Sequence, residues 1–124
     1  MATKKEIRDN CLNELRKNTE VLEMTFEKAG LQVIQQSWQT CNIDGGLDFY
    51  IEVTGDPDKI TDEYITIKAN LYDANGEILK MQFGAIEIEK FSGYETKNLM
   101  FYDEGLLYKA CKARVFAVRG YHNT

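Results

Sequence analysis

Tyr64-Ile65-Thr66-Ile67-Lys68-Ala69-Asn70-Leu71-Tyr72-Asp73-Ala74-Asn75-Gly76-Glu77-Ile78-Leu79 is the stretch whose reading decides the fold. Ile65, Ile67, Ala69 and Leu71 fall on one side of an extended chain, and Tyr64, Thr66, Lys68 and Asn70 on the other. That period of two belongs to a strand with one buried and one wet face. Asp73 to Gly76 then supply the short polar side chains and the glycine that a tight reversal needs, and Ile78-Leu79 opens a second strand. The stretch predicts a β-hairpin with Ala69 and Leu71 in a core. A residue as small as Ala69 leaves room there, which a larger neighbour such as Trp38 or Phe83 is expected to fill.

The alternation continues on both sides. Leu47, Phe49, Ile51 and Val53 alternate with Asp48, Tyr50, Glu52 and Thr54, and Gly55-Asp56-Pro57-Asp58-Lys59 reads as the turn that follows. Beyond the hairpin, Leu79, Met81, Phe83 and Ala85 share one face, after which Ile86 and Ile88 become the apolar positions. Gly84 stands at this change of phase and predicts a β-bulge. Leu31 to Thr40, Tyr94 to Phe101 and Leu106 to Val118, the last two joined by a turn at Asp103-Glu104-Gly105, complete a set of about six strands. With no helix interposed after Gly30, the fold class is mainly β, an antiparallel sandwich of two layers.

Before Gly30 the period is helical. Ile7, Cys11, Leu15, Leu22 and Phe26 recur at steps of four and seven, Thr3 and Glu6 form a capping-box pair, and Lys28-Ala29-Gly30-Leu31 is a helix stop. One helix, two helices broken near Asn18-Thr19, and a helix followed by a strand from Val21 to Glu27 all fit the pattern, and the glycine stop favours helix. The chain divides into an N-terminal helical segment at 1–30, a β-sandwich domain at 31–120 and a tail at 121–124.

In this order the residues resemble the bacterial FxLYD domain family, named for a Phe-x-Leu-Tyr-Asp motif before a turn. Leu71-Tyr72-Asp73 carries the resemblance, Leu31 to Trp38 resembles the first strand of such domains, and Phe49 to Gly55 resembles the second. The likeness runs from about Leu31 to Val118. Ala69 stands where the family has phenylalanine, and Gly55-Asp56-Pro57 replaces the end of its second strand. The resemblance implies an immunoglobulin-like β-sandwich, usually on exported proteins and without an assigned enzymatic activity.

A chain of 124 residues, 44% apolar and 28% charged, suits one domain with a packed core. Its formal charge of −5 opposes nucleic-acid binding. Cys11, Cys41 and Cys111 show no CxxC spacing and read as reduced thiols. No apolar run of secretory or membrane-spanning length is present, so the expectation is a cytoplasmic chain with no membrane partner; an exported chain trimmed of its leader would read the same way.

The candidate sites are few. Asp73, Asn75 and Glu77 match the start of a calcium loop, but Gly84 stands where the bidentate glutamate belongs, so a plain turn is preferred. Asp44, Asp48, Glu52, Asp56, Asp58, Asp62 and Glu63 crowd around the single Lys59 and form a solvated face, a calcium site or a surface for a basic partner. Lys109, Lys112, Arg114 and Arg119 carry the opposite bias, either as neighbouring strands that neutralise the acids or as one pole of a surface for self-association. His122 lies in the tail, Cys111 shares a face with Ala113, Val115 and Ala117 and reads as buried, and Cys41 is the more reactive thiol.

No catalytic residue, cofactor or metal site is expected, and the chain is read as no enzyme. Tyrosines on polar-facing strand positions offer binding area at low entropic cost. The expected function is a non-catalytic module that contacts a protein partner through Tyr50, Tyr64, Tyr72, Asp56, Asp58 and Asp62. The alternatives are a homodimer along Ile7, Cys11, Leu15 and Leu22, and a calcium-binding sandwich using the acidic loops.

Overall fold

Thr3 caps the first helix as the capping box requires, its Oγ1 accepting the Glu6 N–H at 3.1 Å. This computed structural model describes residues 1–121. Helix α1 (Lys4–Lys17) is followed by a short strand, β1 (Thr19–Val21), and a second helix, α2 (Glu23–Lys28). Gly30, at φ +85°, ends the helical arm. Then come β2 (Leu31–Thr40), β3 (Leu47–Gly55), β4 (Tyr64–Tyr72), β5 (Ile78–Glu87), β6 (Tyr94–Phe101), a helical turn α3 (Leu106–Lys109) and β7 (Lys112–Arg119). Among the described residues no helix is long and apolar enough to cross a membrane.

The chain is mainly β and forms two sheets, one ordered β1-β7-β4-β5 and the other β2-β3-β6. Two boundaries differ from the sequence reading. The arm is helix, strand, helix, with the extended part at Thr19–Val21 rather than Val21 to Glu27. It pairs parallel to β7, with Thr19 opposite Ala113 and Val21 opposite Val115. The final strand begins at Lys112, because Gly105, at φ +78°, turns Leu106–Lys109 into a helical turn.

The bulge expected at Gly84 does not occur there. Pairing of β4 with β5 is continuous from Tyr64 opposite Glu87 to Leu71 opposite Lys80, and the irregularity lies one step later, at Leu79 beside the turn. A strand without a bulge keeps its period of two, so with Ile86 facing the core, Met81, Phe83 and Ala85 must face outward. Gly84 makes the inner side fit: a Cβ placed on it would come 3.0 Å from Leu99 Cδ2.

The core lies between the sheets. Trp38, Phe49 and Phe101 form its aromatic centre, with ring centroids 4.5 Å and 5.3 Å from the indole. Ile65, Ile67, Ala69 and Leu71 face it from the other sheet and are fully buried. Of the two residues expected to compensate for Ala69, Trp38 is in the core and Phe83 is on the outside. Leu15 of α1 and Phe26 of α2 are also buried, each contributing about 1.5–3 kcal/mol of apolar burial. The arm thus closes the side of the sandwich between β7 and β2.

Candidate functional site

The outward phase of β5 creates an apolar face on the four-stranded sheet. β4 forms its middle row, with Thr66, Lys68 and Asn70 paired to Ala85, Phe83 and Met81 on one side and to Val118, Phe116 and Arg114 on the other. Ile78 and Met81 are each 53% exposed, and Phe83 is 37% exposed. Tyr121 sets its ring edge-on to Tyr64 at 5.7 Å and to Phe83 at 6.2 Å. Arg114 lies 5.2 Å from the centre of the Tyr72 ring, whose hydroxyl accepts from Asn70 Nδ2 at 3.2 Å.

Lys68, Lys112 and Arg114 stand on this face. Glu20 approaches Lys112 and Arg114 at 3.6 Å and 3.7 Å, and Glu87 at the far end is paired with Lys90. Because β5 is an edge strand, the apolar residues lie beside unpaired backbone groups.

The outer face of the three-stranded sheet is acidic. Its middle strand presents Asp48, Tyr50, Glu52 and Thr54, opposite Met100, Asn98, Thr96 and Tyr94 of β6. Gln35, Ser37 and Gln39 flank them on β2. Tyr102 donates to Asp48 Oδ1 at 2.7 Å, and the Tyr94 hydroxyl donates to Glu52. The bond to Asp48 pushes the Tyr102 hydroxyl up to about 12. Neither carboxylate is ion-paired among the described residues, and no Lys or Arg stands at these outward positions. Tyr94 and Met100 are 49% and 52% exposed.

The residues named from sequence do not form one patch. Tyr64 and Tyr72 lie on the outer face of the four-stranded sheet and Tyr50 on the acidic one. Asp56 caps the 3-10 turn Pro57–Lys59, its Oδ1 accepting the Asp58 N–H at 3.0 Å, and Asp62 Oδ2 takes Arg119 Nε at 2.7 Å. The acidic and basic stretches are not neighbouring strands, since β3 and β7 belong to different sheets. The two stretches meet at the Arg119–Asp62 pair, while Lys112 and Arg114 are approached by Glu20 of β1.

The geometry also removes supports from the alternatives. Leu15 of the proposed dimer seam is buried in the chain's own core, leaving Ile7 as its exposed member. Among the described residues no three of His, Cys, Asp and Glu gather as a metal would need. The Asp73 carboxylate accepts the N–H groups of Asn75 and Glu77 at 2.8 Å and 3.0 Å, so it holds its own turn. Cys111, read as buried, is exposed, because it precedes β7 and lies outside the inward row Ala113, Val115 and Ala117. His122 lies outside the described residues.

At one end of the sandwich Asp44 joins α1 to α3, accepting from Tyr108 at 2.6 Å and pairing with Lys4 at 2.9 Å. These two neighbours, Tyr108 first, hold its carboxyl below the usual value. A groove of about 590 Å³ between α2, β2 and the end of β3 is lined by Glu23, Phe26, Glu27, Gln32 and Thr54, whose hydroxyl donates to the Gly93 carbonyl at 2.7 Å. The outward set Ile78, Met81 and Phe83 was not named as a site from sequence, although the phase change at Gly84 was its signal.

No family model matches the chain, and no curated protein matches it. Among solved structures the chain is similar to one described as the crystal structure of Campylobacter jejuni cj0090, at 14% identity and a TM-score of 0.47, covering 82% of this chain and 97% of that one.

Proposed function

We propose that this chain is a non-catalytic protein-binding module, an immunoglobulin-like sandwich of the FxLYD kind, which engages its partner through the outer face of the β1-β7-β4-β5 sheet. The observation that carries the reading is the outward row Ile78, Met81 and Phe83, apolar side chains that a sheet facing only water would not retain. Lys112 and Arg114 stand at one end of this face, where both are approached by Glu20. The strand order supports the fold assignment, since β3 pairs across to β6 and β4 across to β7, the crossed pairing of a Greek-key sandwich. The Leu71-Tyr72-Asp73 motif supports the family assignment, its aspartate having a defined task in the turn.

The test is site-specific photo-crosslinking in cells, with the reactive group at position 83 or, as a control, at position 75 in the exposed hairpin turn. The expected result is a discrete crosslinked product at 83 and none at 75, identified by mass spectrometry. Equal labelling at both positions would sink the proposal.

A further inference from the structure

We infer that the outer face of the β2-β3-β6 sheet is a second interaction surface, one that receives an extended, arginine-bearing segment of a protein partner. It belongs to the other sheet from the contact proposed above and does not depend on it.

The face is open and its charge is uncompensated. Asp48, Tyr50, Glu52 and Thr54 alternate outward along β3, and Tyr50, Tyr94, Met100 and Tyr102 around them are exposed. Asp48 and Glu52 form no ion pair among the described residues, and the outward residues of β2 and β6 beside them bring no cation. One oxygen of each carboxylate is held by a tyrosine, Asp48 Oδ1 by Tyr102 at 2.7 Å and Glu52 Oε1 by Tyr94. The second oxygen of each has no partner among the described residues. Past Thr54 the face runs into the groove beside α2, whose Glu23 and Glu27 are also without an ion pair among the described residues.

The geometry selects the partner. A fixed carboxylate with a free oxygen accepts a guanidinium N–H, and a phenol ring beside it takes the planar cation on its face, a pairing that suits arginine better than lysine. Tyr50 stands between the two carboxylates on the same strand. Asp48 and Glu52 are four residues apart, about 13 Å along β3. Arginines four residues apart on an extended chain have the same spacing and point the same way, so a segment laid along β3 meets both. Nucleic acid is repelled, and a divalent cation needs its oxygens in one coordination sphere, which two carboxylates about 13 Å apart do not form.

An NMR titration of the full chain tests this. The probe is a synthetic nonapeptide of threonine and valine with arginine at its third and seventh positions. Amide shifts are expected to move along β3 from Asp48 to Thr54, with a dissociation constant on the order of 1 mM at low salt. Binding is expected to weaken about threefold or more in about 0.3 M salt. Glu52→Gln and Asp48→Asn, which keep the acceptors for Tyr94 and Tyr102, are each expected to weaken it about threefold. Tyr50→Leu is expected to weaken the arginine peptide about threefold and to leave its lysine counterpart unchanged. Glu77→Gln, in the hairpin turn, is expected to change neither.

No shifts at up to about 5 mM peptide, shifts away from β3, or full binding by both carboxylate variants would overturn the surface. Equal binding of a peptide with glutamate in place of arginine would do the same. Spermine binding as tightly as the peptide, with no effect of Tyr50→Leu, would overturn the protein segment in favour of a small polycation. Crosslinking from position 83 reports on the other sheet, so its failure and the failure of this titration are separate results.

Discussion

Trp38 Nε1 donates to Thr19 Oγ1 at 2.9 Å, and the same hydroxyl donates to the Leu15 carbonyl at 2.7 Å. Trp38 belongs to the three-stranded sheet and Thr19 to the other, so one hydroxyl ties the arm across the open side of the sandwich. Thr19→Val keeps the shape and removes both bonds, leaving the indole N–H of a fully buried tryptophan without its acceptor. The expected loss is about 1–3 kcal/mol, read as a lower urea midpoint, with Thr19→Ser retaining most of the wild-type value. An unchanged midpoint for the valine variant would show that the indole finds another partner.

The Asp73 side chain governs the hairpin through two backbone N–H groups, those of Asn75 and Glu77. Asp73→Ala removes Oδ1, the one oxygen that accepts both bonds, and is expected to destabilise the fold by about 1–2 kcal/mol, much as the loss of a helix N-cap does. Asp73→Asn keeps an oxygen at the same place and is expected to stay within about 0.5 kcal/mol of wild type. Equal losses for the two would assign the effect to charge rather than to the turn.

These two contacts mark the limits of what the sequence discloses. The turn was legible, because Asp73 acts on residues two and four places away and its chemistry is local. The six long strands were legible for the same reason, their periods being local signals. Three residues of parallel strand at Thr19–Val21 leave no such signal, since their pairing with β7 depends on chain almost a hundred residues distant. The Met81 and Phe83 face was half legible. The phase change at Gly84 was visible, but its resolution depended on whether the opposing sheet could accept a backbone without a side chain, and Leu99 decides that. Cys111 was misread because the strand pattern was extended past the place where Gly105 had already turned the chain.

Tyr102 gives the acidic face a spectroscopic signature. Its bond to Asp48 favours the protonated phenol and raises its folded value from 10.0 to about 12. The contribution to stability is therefore complete below pH 10 and is lost as the pH rises through about 12. Phenolate absorbance should show Tyr102 and, through its bond to Asp44, Tyr108 ionising late, and Asp48→Asn should return the Tyr102 phase alone toward the ordinary value. At the other end of the scale, Asp44 is held below 3.8 by Tyr108 and Lys4, so its contact is complete above that pH and lost as the pH falls through the depressed value. A Tyr102 phase that stays as late in Asp48→Asn would remove the hydrogen bond as its cause, the Tyr108 phase being held by Asp44.

The three thiols should separate by exposure. Cys111 is exposed, with Sγ 3.8 Å from the Lys109 carbonyl, although its own N–H is tied to Tyr72 O at 2.8 Å. Its backbone is therefore fixed while its sulfur stands free of the inward row. Cys11 packs partly against the core, and Cys41 is half-buried in a tight loop, where a Cβ on Gly46 would approach its sulfur to 2.7 Å. Thiolate attack requires access before it requires a favourable pKa, so a disulfide reagent added to the native protein should modify Cys111 in the first phase. Cys111→Ser should abolish that phase and leave two slower ones, whose rates approach the unfolded value only in denaturant. A fast phase that survives Cys111→Ser and disappears in Cys41→Ser would place the accessible thiol in the loop between β2 and β3 instead.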